Sequence, residues 1–171
     1  MSSPVSIEPR ASRAQAQTPA WRVRGATPAD AAALAAAARA LLSELGASPP
    51  ATPAVEAAAL ALLQEPASAT VLVAQAGTEI VGLLGASWQS ALHIPGRYCL
   101  IQDLWVDARW RGQAIGSELL EALLDLAQER QVACIEVGLP RARFAGLHKT
   151  EAFYLEHSFT ALGTRMRRTL P

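Results

Sequence analysis

The chain has 171 residues, 15 Lys and Arg against 15 Asp and Glu, and 51% hydrophobic residues, the size and polarity of one globular domain able to bury a full core. A net charge of zero and a pI near 6.8 provide no general field for nucleic acid or an anionic membrane, because affinity for either rests on an excess of Lys and Arg. Two cysteines, Cys99 and Cys134, are too few and too far apart for a disulfide framework or a thiolate metal site, which predicts no metal and fits a reducing cytoplasm. No apolar run of about eighteen residues predicts a membrane span, and residues 1–20 lack the apolar centre of a signal peptide.

Residues 1–20 are Ser, Pro, Ala, Gln and Arg with almost no large apolar side chain, which predicts a flexible tail ahead of a single domain over 21–171. Trp21 to Ala26 alternates as a strand does, and Thr27-Pro28-Ala29-Asp30 is a helix start with Thr as N-cap and Pro in the first turn. That helix is expected to run to Leu45 and close at Gly46. Thr52-Pro53 repeats the start signal for a second helix ending before Pro66. Thr70 to Ala76 and Glu79 to Trp88 form a hairpin around Gly77-Thr78. A polar loop with His93, Pro95 and Gly96 then leads to a strand over Tyr98 to Val106.

Ile115 to Gln131 places Leu119, Leu120, Leu123, Leu124 and Ala127 at helical spacing. Val132 to Leu139 is expected as a strand, Thr150 to Glu156 as a short helix, and Phe159 to Leu170 as a last strand or pair. A helix between the Tyr98 and Val132 strands implies parallel neighbours with a right-handed crossover. The fold class is α/β (α+β), a mixed central sheet flanked by helices.

The chemistry concentrates in Leu100-Ile-Gln-Asp103-Leu104-Trp105-Val106-Asp-Ala-Arg-Trp-Arg111-Gly112-Gln113-Ala114-Ile115-Gly116-Ser117. This is a strand, a glycine-containing turn, and a helix N-terminus. Gly112 to Ser117 would offer free backbone N–H groups to an anion, reinforced by the helix dipole and Arg111, the geometry of a pyrophosphate cradle. No Gly-Lys-Ser/Thr follows, and the glycine spacing is not that of a dinucleotide fingerprint, so ATP and NAD are not expected.

This segment resembles the acetyl-CoA motif of the GNAT superfamily of N-acetyltransferases, Arg/Gln-x-x-Gly-x-Gly/Ala after a strand ending in Val and before a Leu-Leu pair. Val106, Arg111, Gly112, Ile115, Gly116, Leu119 and Leu120 carry the match. Ala114 stands where the family usually has glycine. The resemblance extends in element order from Ala20 to Leu170 and implies an acyl-CoA N-acyltransferase fold, with acetyl-CoA held by Leu104, Trp105, Val106, Arg111, Gly112, Gln113, Ala114, Ile115, Gly116 and Ser117. Ala152-Phe153-Tyr154-Leu155-Glu156-His157-Ser158-Phe159 is similar to the family's Phe-Tyr-x-x-x-Gly-Phe, with Ser158 in place of the glycine and Leu147 where many members have asparagine.

What the resemblance implies is attack of an amine on the acetyl thioester in a ternary complex, with Tyr154 as general acid and the Val106 N–H as oxyanion donor. Asp103 is the best placed base, because its apolar neighbours Ile101, Leu104 and Trp105 favour a raised pKa. Its alternative role is a structural hydrogen bonder. Gln102 beside it can orient a water, and Glu136 on the next strand is the reserve. His93 is expected on the surface, and Trp88, Trp105 and Trp110 in packing. Spermidine/spermine acetyltransferases within the superfamily have a similar central segment, yet the first two helices offer only Asp30, Glu44, Glu56 and Glu65 as carboxylates for a polycation. The expected acceptor is a small-molecule amine, with a non-catalytic acyl-CoA-binding module or a peptide acetyltransferase as alternatives. A homodimer is compatible with the sequence, and neither nucleic acid nor membrane is expected as a partner.

Overall fold

The computed structural model describes residues 20–163. In chain order the elements are β1 (Arg22–Gly25), α1 (Ala31–Glu44), α2 (Thr52–Gln64), β2 (Ala69–Ala76), β3 (Glu79–Ala91), β4 (Ile94–Val106), α3 (Ile115–Glu129), β5 (Ile135–Val137) and α4 (Leu147–Glu156). Short 3-10 turns at Pro28–Asp30 and Ala108–Trp110 precede α1 and α3. The five strands lie side by side in the order β1-β2-β3-β4-β5. The first four pair antiparallel and β5 pairs parallel to β4, so the sheet is mixed, as the helix between those two strands requires.

The start of α1 follows from its sequence. The Asp30 carboxylate accepts from the Thr27 N–H at 2.7 Å and the Thr27 hydroxyl at 2.9 Å, and Arg24 of β1 donates two hydrogen bonds to it at 2.8 Å. The Arg24 guanidinium holds the Asp30 carboxyl well below the usual carboxylate range. The first strand and the first helix are thereby locked together.

Two apolar layers sandwich the sheet. One joins Leu34 and Ala37 of α1 and Ala59 of α2 to Val71, Val73 and Leu83. The other joins Ile115, Leu119, Leu120, Leu123 and Ala127 of α3, and Tyr154 of α4, to Leu72, Leu84, Cys99 and Ile101. Gly82 lets α3 approach, since a Cβ there would lie 2.8 Å from Ile115 Cγ2 and 3.1 Å from Leu119 Cδ1. Among the described residues no helix is long and apolar enough to cross a membrane.

Five elements differ from the sequence-based expectation. β3 and β4 run on to Ala91 and from Ile94 as a second hairpin, so Pro95 and Gly96 lie within a strand rather than a loop, with exposed Leu92 and His93 at the tip. Each extra rung satisfies backbone groups that a loop would leave to solvent. β5 is only Ile135–Val137, against the eight residues expected, because its pairing stops where β4 bends away. α4 begins at Leu147, three residues before Thr150. Residues 159–163 form no strand; the rest of the expected final strand, and residues 1–19 of the expected tail, lie outside the described residues.

The bend in β4 is a β-bulge. Gly85 pairs with Asp103 and Ala86 with Ile101, so Gln102 is the extra residue. Cys99 and Ile101 before it, and Leu104 and Val106 after it, pack on the α3 face, which moves Asp103 and Trp105 to the face of α1 and α2. Trp105 accordingly packs with the α1 and α2 core. Parallel pairing with β5 ends at Ile101 opposite Val137, and the sheet opens beyond that point.

Candidate active site

The gap between β4 and β5 is lined by backbone that the ladder leaves free. The Asp107 N–H donates to the Val81 carbonyl at 2.9 Å, and antiparallel neighbours alternate between facing their partner strand and facing away. Leu104 and Val106 therefore turn their N–H and C=O groups away from β3, toward the side that β5 has vacated. A cavity of about 120 Å³ occupies this gap, lined by Leu41 and Leu45 at the end of α1, Ile101, Gln102 and Leu104 of β4, Val137, Gly138, Pro140 and Phe144, and Thr150 and Tyr154 of α4. It spans the sheet from the α1 side to the α4 side.

At the end of β4 the chain turns into α3. Gly112 at φ +79° and Ala114 at φ +61° both take left-handed backbone, and the first bond of the helix runs from the Glu118 N–H to the Ala114 carbonyl at 3.0 Å. Among the described residues the N–H groups of Ile115, Gly116 and Ser117 find no backbone partner. They lie at the positive end of the helix, a geometry that suits an anion. Gly116 lies against α4, where a Cβ would sit 3.5 Å from Phe153 Cε2. An open cleft of about 630 Å³ adjoins the loop, between Ala20 to Val23 and Gln113, Ala114 and Glu118.

Arg111 is engaged differently from the sequence expectation of a charge directed at the loop. Its Nε donates to the Val106 carbonyl at 2.9 Å and its Nη2 to both oxygens of Glu44 at 2.8 and 2.7 Å. Glu44 also accepts from Trp105 Nε1 at 3.0 Å. One carboxylate at the end of α1 thus joins the helix, the strand and the turn before α3, beside the cavity mouth.

Tyr154 is 6% exposed, and burial pushes its hydroxyl above the ordinary phenol range. Phe153 and Phe159 hold it edge-on, each with ring centroids 5.2 Å from its own. Ser158, which ends the helix at φ +65°, occupies a left-handed position natural to the glycine of the motif. Asp103 does not line the cavity. Its carboxylate lies over Gly85, with Oδ2 3.4 Å from where a Cβ would be, and desolvation raises its pKa. The two candidate catalytic groups therefore sit on opposite faces of the opened sheet, while Gln102 stands in the gap between.

Of the remaining candidates, Glu136 pairs beside Leu100 in the parallel ladder, and Trp88 is buried with Arg130 stacked 4.7 Å over its ring. Cys99 is fully buried and its thiol is pushed up to about 11, which keeps it protonated. Among the described residues no group of three His, Cys, Asp or Glu side chains could hold a metal ion. Sequence reasoning missed the junction at Glu44, the cavity walls Leu41 and Leu45, and the role of Gln102 as the bulge. The bulge left no alternation to read, because Cys99-Leu100-Ile101 and Leu104-Trp105-Val106 are apolar throughout.

The pattern of the acetyltransferase (GNAT) family matches residues 34–159. No curated protein matches the chain. Among solved structures it is similar to a candidate acetyltransferase from Arthrobacter sp. FB24, at 27% identity and a TM-score of 0.73, covering 92% of this chain and 100% of that one. At 19% identity and a TM-score of 0.69, the ribosomal-protein-alanine N-acetyltransferase of Brucella melitensis biovar Abortus 2308 shares the fold over 88% of this chain and 99% of its own. So does an aminoglycoside acetyltransferase from an uncultured soil metagenomic sample, at 20% identity, a TM-score of 0.70, and coverage of 88% and 97%. The opened sheet, the turn into α3 and the element order are those of one family, and the match spans well over half of the sequence: this chain belongs to the GNAT acetyltransferases.

Proposed function

We propose that the protein transfers an acetyl group from acetyl-CoA to the amine of a small molecule in a ternary complex. The observation that carries this reading is the adjacency of a strand gap, a helix N-terminus with unpartnered N–H groups, and a buried tyrosine bordering the gap. The loop Gly112 to Ser117 fits the pyrophosphate, and the outward backbone of Leu104 fits an amide of the pantetheine arm, with Val106 left to the thioester. Acetyl-CoA supplies the activated acyl group.

The protein's own residues divide the proton handling. A protonated amine cannot attack, so Asp103 takes its proton, directly or through a water oriented by Gln102; the raised pKa of that carboxyl brings its base strength closer to the task. The amine nitrogen bonds to the acyl carbon while the Val106 N–H receives the negative charge developing on the carbonyl oxygen. The C–S bond then breaks, the Tyr154 hydroxyl, kept neutral by its raised pKa, donates to the departing sulfur, and the second proton released from the nitrogen as the amide forms restores the Tyr154 hydroxyl through solvent. Placing Asp103 and Tyr154 on opposite faces lets acceptor and thioester approach from opposite sides of the sheet. The partner of the reaction is a small-molecule amine, a choice supported by the presence of aminoglycoside acetyltransferases among the structural neighbours.

The test is calorimetric titration of acetyl-CoA, with Gly116→Glu as control, followed by a screen of amines for CoA release. Micromolar binding lost in the variant, with release that depends on amine, supports the reading. Binding without release from any amine or peptide identifies a non-catalytic acyl-CoA module, and release with peptides alone moves the acceptor to protein.

A further inference from the structure

On the face of β3 and β4 that carries Asp103, four polar side chains form one hydrogen-bonded file. The Tyr98 hydroxyl donates to Gln89 Oε1 at 2.8 Å, Gln89 Nε2 donates to Ser87 Oγ at 2.9 Å, and Gln102 Nε2 donates to the same Ser87 oxygen at 3.1 Å. A serine hydroxyl has two lone pairs and one hydrogen. Both lone pairs of Ser87 are taken, so its hydroxyl is committed to donating. Gln102, for its part, keeps Oε1 as an acceptor.

The file has a direction. It begins at the gap, where Gln102 lines the cavity, and runs away from it along the two strands. The β3 residue preceding Ser87 on the same face is Gly85, over which the Asp103 carboxylate lies. Ser87 stands one pleat further on, about 7 Å away. A carboxylate for an amine and an oriented hydroxyl are therefore set at a fixed spacing, beside the cavity and on the side from which an acceptor would enter.

We propose that this file selects the acceptor: it favours amines that carry a hydroxyl or carbonyl oxygen several ångströms from the reacting nitrogen, as amino alcohols and amino sugars do, over alkyl polyamines. The inference rests on the acetyl-transfer reading for the position of the amine. Ser87 donates to the acceptor's oxygen, Gln102 Oε1 receives its hydroxyl hydrogen, and Gln89 and Tyr98 fix the orientation of Ser87. A polyamine would meet one carboxylate and then a neutral strip that offers its second charge no counterion.

The experiment compares 5-amino-1-pentanol, pentylamine and 1,5-diaminopentane, which share one chain length and differ at the far end. Both kcat/KM with acetyl-CoA and the Kd of each amine in the presence of CoA are measured for the full chain. The amino alcohol is expected to exceed pentylamine about tenfold in both, the weight of one neutral hydrogen bond, with diaminopentane no better than pentylamine. Ser87→Ala should bring the ratio close to one, Ser87→Thr should restore it, and acetyl-CoA affinity, measured alongside, reports that each variant is folded. Equal ratios in the unmodified protein, a preference for diaminopentane, or a Ser87→Ala variant that keeps the preference would overturn the proposal. A Kd preference with no acetylation of any amine would instead overturn the acetyl-transfer reading and leave the selecting strip standing.

Discussion

Ala114 offers a sharp check on the loop that begins α3. Its backbone stands at φ +61° and ψ 6°, where an L-residue is disfavoured by roughly 1–2 kcal/mol. Ala114→Gly removes that cost but adds about 0.5–1 kcal/mol of chain entropy to the unfolded state. The difference predicts a gain of about 0.5–1 kcal/mol, or on the order of 1–4 °C in Tm for a chain of this size. Urea unfolding measures it as a higher midpoint at unchanged slope. Acetyl-CoA affinity should hold or improve, because the N–H groups of Ile115 to Ser117 are untouched. Ala114→Val, branched at Cβ, should move the midpoint down. A lower midpoint for Ala114→Gly would refute the left-handed turn and the anion site built on it.

Three further outcomes follow from the structure. Gly82→Ala places a methyl against Ile115 and Leu119 and should cost about 1–3 kcal/mol by overpacking, with weaker acetyl-CoA binding as α3 is pushed off the sheet; an unchanged unfolding midpoint would contradict the close approach. Tyr154→Phe should lower kcat by about 10²-fold or more with little change in Tm, since the ring packing stays; unchanged kcat removes the acid role. Asp103 has a raised pKa in the folded state, so the folded protein binds its proton more tightly than the unfolded chain does. The stabilisation this gives is complete below the ordinary carboxylate range and is lost as pH rises through the raised value. Asp103→Asn should therefore be more stable than the parent at neutral pH while losing activity, and the acid limb of the parent's pH–rate profile should lie above the ordinary carboxylate range and disappear in the variant. Retained activity and an intact acid limb would exclude Asp103 as the base.

The order of elements was legible because each begins or ends on a strong local signal. Thr27-Pro28 and Thr52-Pro53 start helices, Gly77-Thr78 turns a hairpin, and the apolar stripe of α3 from Ile115 through its leucines to Ala127 keeps a 3.6-residue period. What was not legible depends on contacts distant in sequence. The extension of β3 and β4 through Pro95 and Gly96 relies on each strand completing the other's ladder, so neither segment reveals it alone. The short β5 is set by the departure of β4 rather than by its own apolar run. Within the candidate site, the turn into α3 was legible from its glycines and the packed position of Tyr154 from its aromatic neighbour. The Glu44 junction could not, because 67 residues separate the carboxylate from Arg111 and nothing in the Ala-rich helix distinguishes it from a solvated charge.

The extra residue at Gln102 also decides how β4 bears a change in length. On an evenly pleated strand, losing one residue shifts the register once, and a nearby compensating insertion repairs it. Here Ile101 and Leu104 share the α3 face with two residues between them, so deleting Gln102 would restore plain alternation and leave Asp103, Leu104 and Val106 on their present faces. What would be lost is the bend, and with it the opening between β4 and β5. The same irregularity that opens the sheet is therefore the one place where the strand could lose a residue without turning its side chains over, and the gap is what such a loss would cost.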